Sequence, residues 1–441
     1  MQRDEMHDRR IGLADCNNFF ASCERRADNS LCGRPVVVLS GNDGCIIARS
    51  NEVKAMGVPM GAPYFKYRDF LAYNGVAVRS ANNRLYAGIS SQVMSIIKRY
   101  TDCQEIYSID ECFFNMAIQT IRRPAEYCAE IRREVWKESR IPISIGIAPT
   151  KTLAKLGAEY AKKHRETEGV FHVEAVKYRD SAFMEQFECR DVWGIGPRAA
   201  NTLSLFGIKN TAQLIAKDDL WIKEKFNIPM LNTLWELRGR SVNPVLNRHK
   251  PQQSIMVSRS FGEPTKDFCG VKDALITFTV SAAAQLRRAK LQAGKISVFI
   301  ATNRFGGDYY ANSREQTFKE PASLDGELIE RASALLKEIY IDGRQYKKCG
   351  VLLSELSNIS CGRQGTLFED EGEKKRLTAA AAVDKINKTS EKPLIKPAIL
   401  NETPEEEKHW RSRSTFKSGN SAGVKKAIPD NLRFQSHAED F

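Results

Sequence analysis

The sequence predicts a multidomain protein of mixed helices and strands, an α/β or α+β architecture, on three observations. Its 441 residues correspond to about three domains at ~150 residues each. Strand-like and helix-like segments interleave over residues 11–177, residues 181–243 read as helical throughout, and mixed elements return after residue 253. Finally, 42% of the residues are hydrophobic, enough to fill real cores and to exclude a wholly disordered chain.

Each element follows from local pattern. Ile11–Cys16 reads as a strand that runs into a helix, and Pro35–Ser40 as a β-branched strand ending in the turn Gly41–Gly44. Residues 45–84 are mixed, with Gly57, Gly61 and two prolines interrupting any long element. Ile89, Val93, Ile96 and Ile97 mark one face of a helix over Tyr86–Tyr100. A strand over Glu105–Phe114 is broken by acids. A helix over Ala125–Glu138 then leads to the strand Ile143–Ala148 and a helix over Thr150–Lys163. Short helices separated by Gly194-Ile-Gly196, Phe206-Gly-Ile208 and Asn227-Ile-Pro229 follow. Beyond the Asn247–Gln253 linker, helices near Val271–Ala289 and Leu324–Glu338 alternate with strands Ile296–Ala301 and Gly350–Leu356. Past Ser360 the composition turns polar, which predicts a largely flexible tail with one helix near Lys375–Lys388.

Charge narrows the function. Lys and Arg total 67 against 54 Asp and Glu, a net charge of +13 that favours a polyanionic partner, nucleic acid before membrane. No stretch approaches ~18 consecutive apolar residues, so no membrane span is expected. Met1–Arg10 is polar with no apolar core of a secretion signal, so the cytoplasm is the expected compartment. The 11 cysteines include no C-x-x-C pair, which argues against a thiolate zinc site or a disulfide scaffold.

Three acids stand out. Asp15 lies inside the apolar strand Ile11–Cys16, and Asp110 and Glu111 interrupt another, Ile106–Phe114. A lone buried carboxylate costs several kcal/mol unless something pairs with it. Three carboxylates at strand ends can hold one or two hard divalent cations such as magnesium, provided a bend turns Asp110 and Glu111 to the same side. The same residues also fit an acidic hairpin turn beside a solvated strand-end aspartate. Two ions bridging such acids suit phosphoryl transfer from a nucleoside triphosphate. Lys151 and Lys155 begin the helix after Ile143–Ala148, where cations oppose the helix dipole unless an anion such as triphosphate sits at that end.

Motifs in series carry a family resemblance. Asp15-Cys16-Asn17-Asn18-Phe19-Phe20-Ala21-Ser22-Cys23-Glu24, Asn42–Glu52, Tyr107-Ser108-Ile109-Asp110-Glu111 and Lys151-Thr152-Leu153-Ala154-Lys155 resemble, in order and spacing, the Y-family DNA polymerases, UmuC type. The likeness extends through Asp191–Gly196 and Ser258–Glu263, over roughly residues 11–360. It implies an α+β right hand. The palm, with a ferredoxin-like sheet, would span 1–40 and 85–177, the small fingers 41–84, and the helical thumb with its helix-hairpin-helix 178–245. An α/β little finger would span 246–356 and a flexible tail 357–441.

The resemblance also implies site residues. Asp15, Asp110 and Glu111, with the backbone carbonyl of Cys16, would hold two magnesium ions. Phe20 falls at the steric-gate position, where an aromatic ring crowds a ribonucleotide 2′-hydroxyl. Phe19, Arg49, Lys54 and Lys155 would line the nucleotide, Lys155 at the family's triphosphate lysine. Gly194 and Gly196 would let the thumb backbone approach a DNA phosphate. Arg259, Arg287, Arg288, Lys290, Lys295 and Arg304 would track duplex phosphates. Gln364-Gly-Thr-Leu367-Phe368 resembles the peptide by which bacterial polymerases hook the sliding clamp.

The implied activity is template-directed, error-prone synthesis across damaged primer-template DNA from dNTPs, within the SOS response. A processed UmuD-type dimer and RecA would be partners. Two other classes compete: a nucleotide cyclase, which needs no thumb, little finger or clamp peptide, and a DNA-binding scaffold with a decayed site, against which all three acids and Lys155 argue.

Overall fold

The computed structural model describes residues 9–117, 123–173, 181–247, 251–359, 371–389, 393–400 and 415–418. They divide into two compact units, one of residues 1–249 with 414–441 and one of residues 250–413.

The first unit opens with β1 (Arg9–Cys16), α1 (Phe19–Ala27), β2 (Val36–Leu39), β3 (Ile46–Arg49), α2 (Asn51–Ala55), α3 (Tyr64–Tyr73), β4 (Ala77–Ser80) and α4 (Asn83–Lys98). It continues with β5 (Gln104–Ile106), β6 (Glu111–Ala117), α5 (Pro124–Ser139), β7 (Ile143–Ala148), α6 (Lys151–Lys163) and β8 (Val170–His172). The central sheet has the order β5-β6-β1-β7-β8. Its two faces are separated by the period-2 rule. Ala14, Cys16, Cys112, Phe114 and Ile143 pack in one core with α4 and α5 residues such as Ile89, Val93, Ile131 and Val135. Ile11, Leu13 and Phe113 face the other way, in a second core with Leu153, Ala154 and Ala158 of α6. Odd-numbered Asp15 and Glu111 therefore fall on the α6 side.

α6 lies unusually close to the sheet because two glycines meet beneath it. A Cβ on Gly146 would stand 2.0 Å from the Ala154 carbonyl oxygen and 2.3 Å from the Ala158 nitrogen, and one on Gly157 would stand 3.3 Å from the Gly146 Cα. Any side chain at Gly146 would push the helix off the strand.

β2, β3 and β4 form a separate three-stranded sheet, order β3-β2-β4, with the small core Val37, Leu39, Ile46, Val53 and Leu71. Val36–Leu39, just before the expected palm–fingers boundary at residue 40, pairs with β3 and β4 of this small sheet.

Five helices complete the unit: α7 (Ser181–Met184), α8 (Pro197–Leu205), α9 (Thr211–Ile215), α10 (Asp219–Lys225) and α11 (Ile228–Leu237). They are tied to the start of α6. The buried Glu236 carboxylate accepts from the Thr152, Val242 and Asn243 amides at 3.0, 2.8 and 2.9 Å. The anion expected at this helix N-terminus is thus Glu236 itself. Lys151 is likewise committed, with its ammonium 2.7 Å from both Glu105 oxygens and its side chain 5% exposed. It is not available as a phosphate ligand, contrary to the expectation from its place on the helix.

The second unit runs β9 (Ser254–Thr265), α12 (Phe268–Arg288), β10 (Leu291–Thr302), β11 (Ala311–Ala322), α13 (Asp325–Ile339), β12 (Tyr346–Asn358) and α14 (Glu371–Lys388). Its antiparallel sheet, order β11-β10-β12-β9, buries Ile296, Val298, Ile300, Val351 and Leu353 against α12 and α13. β12 continues to Asn358, two residues past the expected limit of the little finger. Among the described residues of the chain, no helix is long and apolar enough to cross a membrane.

Candidate active site

β1 and β6 run antiparallel with Asp15 directly opposite Glu111. Such cross-strand partners stand on one face with Cβ atoms about 4.5–5.5 Å apart. Asp110 enters through a tight bend. The Tyr107 and Ser108 amides both donate to the Glu111 carbonyl at 3.1 Å, and the Ser108 hydroxyl accepts from the Asp110 and Glu111 amides at 3.3 and 3.1 Å. Ser108 also hydrogen-bonds the Asp110 carboxylate. The Cys16 amide donates to the Asp110 carbonyl at 2.8 Å, which closes the bend onto the end of β1.

Two lysines of α6 answer these acids. Lys155 Nζ lies 3.0 Å from Glu111 Oε1, and Lys162 Nζ lies 2.7 Å from Asp15 Oδ2. Seven residues apart, they share one helix face. Lys155 is further boxed by aromatic rings, 4.6 Å from the Tyr107 centroid and 5.3 Å from that of Trp193, whose indole donates to the Tyr107 hydroxyl at 2.9 Å. Burial, with the charges of Asp110 and Glu111 adding to it, pushes the Asp15 pKa up to about 6 against the pull of Lys162. Burial likewise raises Glu111 against the pull of Lys155. Burial opposes the Lys162 charge, yet Asp15 holds its pKa above the ordinary lysine value.

Neither Lys162 nor Trp193 was singled out from sequence. The signal for Lys162 was the i, i+7 spacing from Lys155. Trp193 sits just before the glycine hairpin already noted.

Phe20 is half-buried, and its ring stacks on Tyr86 at 4.5 Å and 17°. Phe19 is 4% exposed and belongs to the core, so its ring offers nothing to a ligand. Arg49 hydrogen-bonds the Val58 carbonyl. Burial and the charges of Arg49 and Lys162 push the Lys54 pKa down, while Glu159 and Asp15 pull it up, so the cations of β3, α2 and α6 feel one another around Asp15. Gly194 has φ +91°, the left-handed region open to glycine, and Gly196 caps α8.

In the second unit Arg259 and Arg288 are exposed. Arg287 is not: its side chain is 6% exposed. Its guanidinium donates to Asp384 through Nε and Nη2 and to Asp325 through Nη1, all at 2.8 Å, and to the Ser323 carbonyl at 2.9 Å. Four of its five N–H donors are thus engaged inside the protein, which leaves Arg287 poorly placed for the DNA contact expected of it. The same bonds fasten α14 to α12, so the helix expected near Lys375–Lys388 is present and packed. Gln364, Leu367 and Phe368 lie outside the described residues.

No three side chains of metal-ligating type are gathered into a ready coordination shell among the described residues. The donor chemistry nonetheless fits a hard divalent cation. All candidate donors are oxygens, two of the carboxylates are desolvated with raised pKa values, and their present counter-charges are ammoniums that can be exchanged.

Residues 14–159 match the impB/mucB/samB family, and residues 252–367 match the C-terminal domain of that family. The chain is similar to protein UmuC of Salmonella typhimurium, at 37% identity over 364 residues covering 82% of this chain and 86% of that protein. It is similar to protein MucB of Escherichia coli at 33% over 350 residues, covering 79% and 83% respectively. A DNA polymerase IV of Methanoculleus marisnigri is 27% identical over 363 residues, 80% of this chain and 96% of that one. Among solved structures, a Y-family DNA polymerase chimera of Dbh and Dpo4 superposes with a TM-score of 0.65 at 21% identity, covering 79% of this chain and 99% of the chimera. An insertion ternary complex of Dbh DNA polymerase gives 0.54 at the same identity and coverage.

Proposed function

The chain belongs to the Y family of DNA polymerases, DNA-directed enzymes of translesion synthesis, and from that premise we propose that the carboxylates at the head of β1 and β6 are where a dNMP passes from a dNTP to a primer 3′-hydroxyl. The observation that carries this reading is the facing pair Asp15 and Glu111, each held by its own lysine from α6. Asp15, Asp110, Glu111 and the Cys16 carbonyl would hold two magnesium ions, which when bound activate the primer hydroxyl and neutralise the departing pyrophosphate.

The chain's own residues supply the rest. Lys162, Lys155, Arg49 and Lys54 bring positive charge around Asp15 and bind triphosphate oxygens. Lys155 stays oriented by the Tyr107–Trp193 box. Phe20, its ring stacked on Tyr86, excludes a 2′-hydroxyl by contact. The Gly194–Gly196 hairpin donates backbone N–H groups to a DNA phosphate, and Arg259 and Arg288 offer free side chains to others. The peptide Gln364–Phe368 binds a sliding clamp, and a processed UmuD-type dimer and RecA serve as partners in SOS mutagenesis.

Magnesium-dependent primer extension on undamaged and abasic templates, with and without the UmuD-type partner, tests this. Asp110→Ala is expected to abolish extension while primer-template binding, read by fluorescence anisotropy, persists. Extension by that variant at the unmodified rate would defeat the assignment.

A further inference from the structure

Beside the site, the C-terminal segment Thr415–Ser418 docks on the small sheet although the chain around it is remote in sequence. The Ser80 amide at the end of β4 donates to the Phe416 carbonyl at 2.7 Å, and the Phe416 amide donates to the Ser80 hydroxyl at 3.0 Å. The Thr415 amide donates to Asp43 Oδ2 at 2.8 Å, inside the Asn42–Gly44 turn. Phe416 packs edge-on against Tyr64 at 5.8 Å and joins the small-sheet core. The Ser418 hydroxyl donates to Glu24 Oε1 at 2.8 Å.

Glu24 is fully buried, and the same oxygen accepts from the Tyr86 hydroxyl at 2.6 Å. Tyr86 is the ring on which Phe20 stacks. A continuous set of contacts thus runs from Ser418 through Glu24 and Tyr86 to Phe20. The other Glu24 oxygen, Oε2, is buried without a partner, so the orientation of this carboxylate rests on the Tyr86 and Ser418 donors.

We propose that Thr415–Ser418 is the back wall of the sugar gate, with Ser418, Glu24 and Tyr86 as positioning residues that fix the Phe20 ring. This rests on the reading of Phe20 as the gate. Removing the segment takes one donor from a buried carboxylate and loosens the ring that Phe20 leans on, so selection against ribonucleotides weakens while the acidic cluster is untouched.

The test is single-nucleotide insertion by the full chain, reading the ratio of kcat/KM for a dNTP over the matching rNTP. Phe416→Ala and Ser418→Ala are each expected to lower that ratio about three- to tenfold. Ser418→Thr keeps the hydroxyl and should keep the ratio. In a Phe20→Ala background the tail substitutions should add nothing, since all act through one ring. A ratio unmoved by both tail substitutions while Phe20→Ala collapses it would overturn the proposal. A ratio indifferent to Phe20→Ala would instead remove the gate reading on which the proposal stands. Amide hydrogen exchange reads docking directly: ending the chain at residue 413 should unprotect the Ser80 amide, and unchanged protection would contradict the contact.

Discussion

Two ion clusters in this molecule look alike in sequence and differ in what they can do. At the head of the central sheet, Asp15 and Glu111 face each other and two separate ammoniums each reach one of them. In the second unit one guanidinium lies between Asp325 and Asp384 and also donates to the Ser323 carbonyl. In the first cluster burial raises the pKa values of Asp15 and Glu111 against the pull of their lysines, with the neighbouring acids adding to it. Its cations are single point charges that can swing away on flexible stems. The second is nearly filled: four of the five N–H donors of Arg287 are engaged and its side chain is 6% exposed, which leaves little for a phosphate. Availability, more than charge, separates a binding residue from a structural one.

Several substitutions would break or sharpen that contrast. Asp15→Asn is expected to cost at least about a thousandfold in primer extension, measured as kcat, with little change in melting temperature, because it removes an exchangeable ligand. Arg287→Ala should do the reverse. It should destabilise the second unit by about 2–3 kcal/mol in chemical denaturation, below the ~3–5 kcal/mol of fully buried pairs. The discount reflects Asp325 and Asp384 side chains that are 26% and 23% exposed. Lys162→Ala should lower kcat/KM for the dNTP about tenfold to a hundredfold, through KM, because it takes one charged contact from the triphosphate.

The smallest effect concerns pH. Burial raises the Glu24 pKa above the ordinary carboxylate range, against hydrogen bonds from Tyr86 and Ser418. The folded chain therefore holds this proton more tightly than the unfolded one. The stabilisation is complete below the unfolded carboxylate range and is lost as pH rises through the folded value. Glu24→Gln keeps the acceptor oxygen and removes the charge. It should melt about 2–4 °C above the unmodified chain at pH 8 and converge with it toward pH 4 in thermal scans.

Much of this was legible in sequence, for physical reasons. Strands Ile11–Cys16 and Ile143–Ala148 announce themselves by continuous burial, and β7 has the bounds that the residues suggest. The helix expected near Val271–Ala289 runs over Phe268–Arg288. β11 was missed because Ala311–Glu315, at its start, are all exposed, so no alternation marks it. α3 buries only Leu71, too little for a periodic signal.

At the site, the acids and Lys155 could be found because a charge in an apolar strand is conspicuous. Lys162 was harder to see, since a lysine near a helix C-terminus is ordinary and its i, i+7 spacing from Lys155 gains meaning only once α6 packs on the sheet beside Asp15. Arg287 misled for the complementary reason. Its partner Asp384 lies 97 residues away, and nothing local announces the pairing.

Manganese binding followed by electron paramagnetic resonance probes the carboxylate cluster most directly, with the ion reporting its own ligands. The unmodified chain should bind the ion saturably and more tightly when dNTP is added, and Asp15→Asn and Glu111→Gln should lose that binding. Equal manganese affinity in all three proteins would place the ion elsewhere and contradict the assignment.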